Sequence, residues 1–192
     1  MIMTSIVTKF SPAKINLYLE VKNRRKDGYH NIESLMTFCD FGDEISVNKS
    51  KRFKLNIRGP FSKFLINKEN LIEKSIRKME DLYERDFKVQ VTLNKNLPIA
   101  SGMAGGSSNA ATFILCVKEI FGLKIIKGFD SLLLSLGADV PFCFSRKTAL
   151  VSGIGEKITF IKKLKEYYIL LVNPQIEVST REIFSDLVFS EE

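Results

Sequence analysis

The chain has 192 residues, of which 45% are hydrophobic and 27% charged, and its formal net charge is +7. This length suits one domain, or one domain and part of another, whose core needs no covalent or metal support. Three cysteines, Cys39, Cys116 and Cys143, and a single histidine, His30, argue against a disulfide framework and a histidine-based metal centre. The sequence shows neither a secretory signal nor an apolar run near the ~20 residues that cross a bilayer, so we expect a cytoplasmic protein with no membrane partner.

The positive charge is spread along the chain, and its densest run is 22–26, beside a predicted turn. Such a surplus can attract nucleic acid, a membrane or a phosphorylated small molecule. Scattered lysines favour a solvated surface over a nucleic-acid site. The phenylalanines lie in apolar patterns typical of a core, not of a base-stacking surface.

Alternating apolar and polar residues predict a first strand from Phe10 to Val21, with Lys14 and Asn16 on its polar face. The pair Asp27-Gly28 then predicts a hairpin turn. Two short strands are predicted at 44–47 and 53–57, joined by a lysine-rich turn.

The rest of the chain alternates between predicted helices and strands. Asn70, followed by Glu73, is typical of a helix N-cap. Asp130 is predicted to cap a helix over 131–136 that stops at Gly137. Strands are predicted at 87–93, 148–151, 157–160 and, fully buried, at 167–172. The mixture of hairpins and isolated helices predicts an α+β fold.

Residues 97–111, LPIASGMAGGSSNAA, lie between the strand at 87–93 and a run with helical spacing. The first turn of a helix offers free N–H donors and a positive dipole end, which favour phosphate. Glycines let the backbone approach such a ligand closely. The loop is neither a Walker A loop nor a dinucleotide fingerprint. A flexible loop, or small residues for close helix packing, is the alternative interpretation.

Two charged residues stand out beside this loop. Asp139 is a lone carboxylate within the apolar segment 136–142, where a charge is costly unless it is paired. Lys14 is a possible partner. Taken singly, Asp139 is also explained as a helix cap and Lys14 as an exposed strand residue.

Several motifs occur in a fixed order along the chain: residues 11–17, SPAKINL; 27–30, DGYH; the loop at 98–111; 136–142, LGADVPF; 153–156, GIGE; and 173–184. Together they resemble the GHMP small-molecule kinases over essentially the whole chain. The resemblance implies a GHMP kinase N-terminal, ATP-binding domain over 1–160, a fold shared with a ribosomal-protein domain. It also implies the start of an incomplete C-terminal domain over 161–192.

The same resemblance implies roles for individual residues. Asp139 matches the catalytic base, and Lys14 the lysine beside the transferred phosphoryl group. Two of the implied ATP-binding residues, Asn70 and Lys95, fall at the nucleoside end of ATP. The others form the phosphate loop: Pro98, Ile99, Ala100, Ser101, Gly102, Met103, Ala104, Gly105, Gly106, Ser107 and Ser108. Ser107 and Ser108 are also the candidate Mg²⁺ contacts. The implied substrate-binding residues are Asn16, Tyr29, His30, Thr180 and Phe184.

The activity implied is ATP- and Mg²⁺-dependent phosphorylation of the 2-hydroxyl of a methylerythritol joined to cytidine diphosphate, in isoprenoid precursor biosynthesis. Tyr29 and Phe184 would sandwich the cytosine ring, and His30 would bind its edge. The partner is then a small molecule and not nucleic acid, and the oligomeric state is left open. A GHMP kinase for another alcohol and a non-catalytic binding protein are the alternatives.

Two departures from the family pattern matter. Met103 and Ala104 replace a leucine and a glycine, so Ala104 is expected in a right-handed or extended conformation, or else under small strain. Family members also continue well beyond Glu192. We therefore expect an N-terminal lobe that folds but is aggregation-prone or weakly active.

Overall fold

The structure, a computed structural model, describes residues 6–66, 69–162, 164–174, 183, 184, 186 and 187. Six strands and four α-helices follow one another along these residues. In chain order they are β1 (Val7–Arg24), β2 (His30–Lys49), β3 (Lys54–Arg58), α1 (Leu71–Tyr83), β4 (Val89–Asn94), α2 (Gly105–Phe121), α3 (Phe129–Leu136), α4 (Val140–Ser145), β5 (Ala149–Gly153) and β6 (Lys157–Phe160). A short 3₁₀ helix, Ser62–Leu65, follows β3. The predicted α+β class is confirmed.

One mixed sheet organises the protein, with strand order β3-β4-β2-β5-β6 and β1 paired to β2. The long strand β2 pairs antiparallel with β1 along its length, with β5 through 32–36 and with β4 through 44–49. The turn between β1 and β2 contains Gly28 at φ 85°, which confirms the predicted hairpin. The two ends of β2 therefore pair with the strands that lead into two of the sequence motifs: β4 leads into the glycine-rich loop, and β5 leads into the GIGE turn.

The predicted strand at 44–47 is only the end of β2, and it is not hairpin-paired with β3. Strand β4 lies between them and pairs parallel with β3. Residues of β4 alternate between buried and half-buried, and Val89, Val91 and Leu93 are fully buried. Burial of this apolar row explains why β4 takes the position between β2 and β3.

Strand β1 departs from the alternation that the sequence predicts. Its pairing with β2 shifts between Pro12 and Lys14, between Asn16 and Tyr18, and between Val21 and Asn23. Such bulges interrupt the two-residue period of side-chain direction. Residues 11–14 are consequently buried in succession, and Lys14, expected on the polar face, is buried.

The helices begin largely where the sequence predicts. The Asn70 side chain accepts a hydrogen bond from Ile72 N at 2.9 Å, which confirms the predicted cap of α1. Helix α3 ends at Gly137 as predicted. Asp130 is not its cap, however, because the helix begins at Phe129, two residues before the predicted start, and its N-cap is Gly128 at φ 92°. Asp130 instead lies in the first turn, where its charge suits the helix dipole.

The core lies between the sheet and the helices, with α2 at its centre. Nine successive or near-successive residues of α2 are buried, among them Phe113, Ile114 and Val117. They pack with buried residues of α1, α3, α4 and the sheet in one apolar cluster. A helix buried on so many sides holds its N-terminus in a fixed place.

The predicted buried strand at 167–172 is wrong. These residues form no regular element, and Tyr168, Leu170 and Val172 are 109%, 88% and 82% exposed. Apolar composition predicted burial, but within the described part of the chain no surface covers these side chains. Across that same part, no helix has the length and apolar character needed to cross a membrane.

Candidate active site

The glycine-rich loop ends at the N-terminus of α2, as the sequence predicts. Ala104, at the N-cap position, has φ 49° and ψ 32°, in the left-handed region. The expectation of a right-handed or extended backbone is therefore wrong, and the strained alternative holds. A Cβ at Gly105 would lie 3.3 Å from Lys95 Nζ, and one at Gly106 would lie 3.4 Å from Leu71 Cδ1. Close packing thus explains Gly105, whereas a Cβ at Gly106 would make an ordinary contact. Together the two glycines leave the backbone at the start of α2 without side chains.

Lys14 and Asp139 meet beside this loop although 125 positions separate them in the numbering. Lys14 Nζ lies 3.6 Å from Asp139 Oδ2, with the lysine side chain 7% exposed and the carboxylate 34%. The same ammonium donates to Asn16 Oδ1 at 2.8 Å and to Gly102 O at 3.4 Å. Lys14 N also donates to Met103 O at 3.0 Å, which ties β1 to the loop. The pair thus stands at the edge of the loop with its carboxylate open to solvent.

Asp139 occupies the N-cap position of α4 but does not act as its cap. Its side chain makes no capping hydrogen bond and pairs with Lys14 instead. The helix-cap interpretation therefore does not explain this carboxylate. The β5–β6 turn supports the segment: a Cβ at Gly155, where φ is 116°, would lie 3.2 Å from Ala138 O.

The two candidate metal contacts differ in their surroundings. Ser108 Oγ is buried and donates to Pro12 O at 2.7 Å, so it holds α2 against β1. Ser107 is half-buried, and its Oγ lies 3.8 Å from the position of a Cβ at Gly137. Of the two serines, only Ser107 thus has its hydroxyl near segment 136–142, which contains Asp139. Among the residues that the structure describes, no group of three His, Cys, Asp or Glu side chains could hold a metal ion.

A buried carboxylate that the sequence analysis missed lies beneath the loop. Asp43, at the middle of β2, is fully buried. Its Oδ1 accepts from Asn96 N and Leu97 N, both at 2.7 Å. Its Oδ2 accepts from Lys95 Nζ at 2.7 Å and from Asn109 Nδ2 at 2.9 Å. A usable signal existed, because residues 43, 45 and 47 alternate onto the buried face of β2 and a carboxylate there needs partners.

Lys95 is a second buried charge in this cluster. Burial lowers the pKa of its ammonium group, and the neighbouring carboxylate of Asp43 opposes that effect. Lys95 Nζ also donates to Leu97 O at 2.7 Å. The lysine side chain is therefore enclosed beneath α2, and its backbone N–H and carbonyl are hydrogen-bonded to Arg58 O and Phe61 N, so Lys95 acts on the loop from below. Asn70, the other residue assigned to the nucleoside end of ATP, uses its side-chain oxygen to cap α1.

The candidate substrate residues lie around the β1–β2 hairpin. Asn16 Nδ2 donates to Ser34 Oγ at 2.7 Å, which leaves its oxygen to Lys14. The His30 and Phe184 rings are 5.3 Å apart between centroids and tilted by 59°. Tyr29 is 60% exposed at the turn. Thr180 lies outside the described residues. The structure thus brings Phe184 to the DGYH motif although about 150 residues separate them.

Comparison with known proteins identifies the class to which this fold and site belong. Residues 70–147 match the family model of the GHMP kinases N terminal domain. This part of the chain is therefore similar to a GHMP kinase N-terminal domain. Its curated relatives include the 4-diphosphocytidyl-2-C-methyl-D-erythritol kinases of Clostridium botulinum strain Hall and of Lachnospira eligens, which are 40% and 37% identical over 176 residues.

Solved structures show the same relationship. A crystal structure of 4-(cytidine 5'-diphospho)-2C-methyl-D-erythritol kinase matches with a TM-score of 0.68 and 30% identity, over 81% of this chain and 55% of that chain. Homoserine kinase from Cytophaga hutchinsonii matches in fold, with a TM-score of 0.64 at 16% identity over 100% of this chain and 63% of that chain. The alignments with the two curated relatives cover 91% of this chain but only 62% and 61% of the relatives. The chain thus spans about three fifths of the length of the curated relatives it matches.

Proposed function

We propose that this protein transfers the γ-phosphoryl group of ATP to the 2-hydroxyl of 4-diphosphocytidyl-2-C-methyl-D-erythritol. The observation that carries the proposal is the 3.6 Å pair of Lys14 and Asp139 at the edge of the glycine-rich loop. Phosphoryl transfer asks a protein mainly for positioning and for neutralisation of charge. A bare helix N-terminus, an enclosed ammonium and an accessible carboxylate supply both.

In the proposed reaction, Asp139 accepts the proton of the substrate hydroxyl as its oxygen attacks the γ-phosphorus. The bond to the β–γ bridging oxygen breaks, and ADP leaves with that electron pair. Lys14, whose ammonium lies 3.6 Å from the Asp139 carboxylate, would offset negative charge on the transferred group. Mg²⁺ bound to the triphosphate would neutralise further charge, and Ser107, the less buried of the two candidate serines, would supply a hydroxyl to such an ion.

Recognition of the cytidine end is proposed for the hairpin turn. An exposed Tyr29 ring and the Phe184 ring near His30 offer aromatic surfaces for a cytosine. Relatives at 37–40% identity carry the name of this kinase, which supports the same substrate for this chain. Homoserine kinase shares only the fold, so its amino-acid alcohol is the less favoured substrate.

The test is an assay of ADP release with ATP, Mg²⁺ and each of two alcohols, the cytidine diphosphate derivative and homoserine. We expect turnover with the first only. Cytidine diphosphate without the methylerythritol should compete with the substrate, because it carries the group that Tyr29 and Phe184 would bind. Turnover with homoserine alone would reject the proposed substrate. Saturable ATP binding without turnover of either alcohol would reject the proposed reaction and favour a binding protein.

A further inference from the structure

Asp43 is separate from the residues that the proposed reaction uses, yet it contacts both ends of the glycine-rich loop. On the entry side it accepts from Asn96 N and Leu97 N. On the exit side it accepts from Asn109, four residues into α2. The residues between these two contacts are the ones assigned to the ATP phosphates. The carboxylate of Asp43 thus joins the two ends of the loop through hydrogen bonds.

The contacts of Asp43 leave no acceptor capacity for another role. A carboxylate offers about four lone-pair sites. Four donors occupy them, at 2.7 to 2.9 Å. The group is fully buried, so it reaches neither solvent nor a ligand. Its effect on any bound molecule must pass through the loop.

We call the four hydrogen bonds of Asp43 the clamp. Neighbouring hydrogen bonds connect the clamp to β1. The Ser11 hydroxyl donates to Asn109 Oδ1 at 2.7 Å and lies 3.0 Å from Ser108 Oγ. Ser11 and Asp43 are paired across β1 and β2. Strand β1 also carries Lys14, three residues further along. The polar cluster therefore connects the loop, the start of α2 and the strand that holds the catalytic lysine.

We infer that Asp43 is a positioning residue, which fixes the two ends of the glycine-rich loop so that its N–H groups are prearranged for the ATP phosphates. This inference rests on the proposed function for the identity of the ligand. Without the clamp, the loop would sample many conformations, and ATP would have to select or order one of them. The cytidine end lies at the β1–β2 turn, outside the clamp, and should not depend on it.

The test compares Asp43→Asn with Val151→Ala, a buried substitution on β5 that touches no part of the cluster. The asparagine amide would face the donors of Lys95 and Asn109, so the exit-side contacts are lost. We expect at least about a tenfold weaker Kd for ATP, since bonds to a charged group are broken. The Kd for the cytidine diphosphate substrate should change by less than about twofold. Val151→Ala should alter neither Kd by more than that, whatever stability it loses.

Hydrogen exchange of the ligand-free protein gives a readout that does not need ATP. Amides at 99–108 should exchange faster in Asp43→Asn than in the wild type or in Val151→Ala. Equal loop exchange and equal ATP binding in both variants would overturn the inference. Equal weakening of ATP and cytidine binding in Asp43→Asn would overturn it too, because it would mark a general loss of structure.

A second variant covers the case in which Asp43→Asn fails to fold. Asn109→Ala removes the exit-side contact with Asp43, together with the acceptor of the Ser11 hydroxyl, and keeps the entry-side contacts. We expect faster exchange at 99–108 with about threefold or more weaker ATP binding. No change in this variant would overturn the inference. If the wild-type chain shows no saturable ATP binding, the proposed function fails, and loop exchange alone still decides the role of Asp43.

Discussion

An amide at position 139 has nearly the same shape as the carboxylate but cannot accept the proton of an alcohol. We therefore expect Asp139→Asn to lower kcat about 10²–10⁴-fold while ATP still binds. Steady-state ADP release and an ATP titration measure the two effects. Asp130→Asn, a change of the same kind at an exposed position in α3, is the control and should leave kcat unaltered. Unaltered turnover in Asp139→Asn would remove this residue from the proposed reaction.

The left-handed backbone of Ala104 makes a second prediction at a single residue. A left-handed alanine costs roughly 1–2 kcal/mol. Replacing it by glycine removes that strain but adds entropy to the unfolded chain, so Ala104→Gly should raise the free energy of unfolding by about 0.5–1 kcal/mol. Denaturant unfolding measures it. Ala110→Gly, inside α2 with ordinary helical backbone, should lower the same quantity by about 1 kcal/mol. A loss of stability in both variants would show that φ 49° at Ala104 carries no strain.

A candidate site residue could be predicted from the sequence when a single charge interrupted an apolar segment within a recognisable motif. Asp139 was singled out in this way, whereas Lys14 was expected on the polar face of a strand and its proposed role came from the resemblance. Nothing in the sequence could give their 3.6 Å separation. Asp43 was missed since it lies in a strand whose residues 38–41 show no clean period. Its burial depends on the register of β2 against β4, a pairing between residues about 50 positions apart.

Helix α1 supplies a prediction at the scale of an element. Asn70→Ala removes the cap and should lower the free energy of unfolding by about 1 kcal/mol. Asn70→Ser keeps a capping oxygen and should retain most of the stability. If Asn70 also contacts the nucleoside end of ATP, both variants should bind ATP more weakly. Thermal melts with and without ATP separate the two roles, and wild-type affinity in Asn70→Ser would assign Asn70 to capping alone.

Most elements were predictable because their signals are local. A cap, a glycine stop or an Asp-Gly turn acts within a few residues. The order of β3, β4 and β2 was not predictable, since burial of Val89, Val91 and Leu93 decides it across the whole sheet. The bulges of β1 were missed for the same reason. They place Lys14 against the loop through contacts with Gly102 and Met103, far away in sequence.

The stability of the whole molecule should fall at alkaline pH because of its buried thiols. Burial raises the pKa of Cys116 from 9.0 to about 12, and it raises the pKa of Cys143 as well. Above pH 9 the unfolded chain loses these protons while the folded chain keeps them, so stability falls as pH rises. The loss at pH 10 is about 1.4 kcal/mol per thiol.

Urea unfolding from pH 8 to pH 10 measures this slope. Cys116→Ala should show a shallower decrease than the wild type, because one thiol no longer titrates. Its absolute stability is not the readout, since the cavity left behind lowers stability at every pH. Comparing slopes cancels the lysines and tyrosines common to both proteins. Identical slopes would mean that Cys116 ionises in the folded state at its ordinary pKa.

At the scale of the molecule, the apolar segment 167–172 shows that amino-acid composition alone does not predict burial. Tyr168, Leu170 and Val172 have the character of a buried strand, and yet they are exposed. Burial needs a second surface, and hydrophobicity alone does not say where that surface is. Such an exposed apolar stretch favours association with other surfaces. The assignment of 161–192 to a second domain stays a prediction.

The close approach of Gly155 to Ala138 has a consequence for how the chemistry is tuned. The β5–β6 turn contains none of the residues proposed to bind a ligand, but it leaves no room for a side chain at Gly155, where a Cβ would lie 3.2 Å from the carbonyl oxygen of Ala138, the residue before Asp139. A methyl group on Gly155 would crowd Ala138 O, so the turn or the segment that carries Asp139 would have to shift. A hairpin tip that touches neither proposed ligand would then influence where the proton-accepting carboxylate stands.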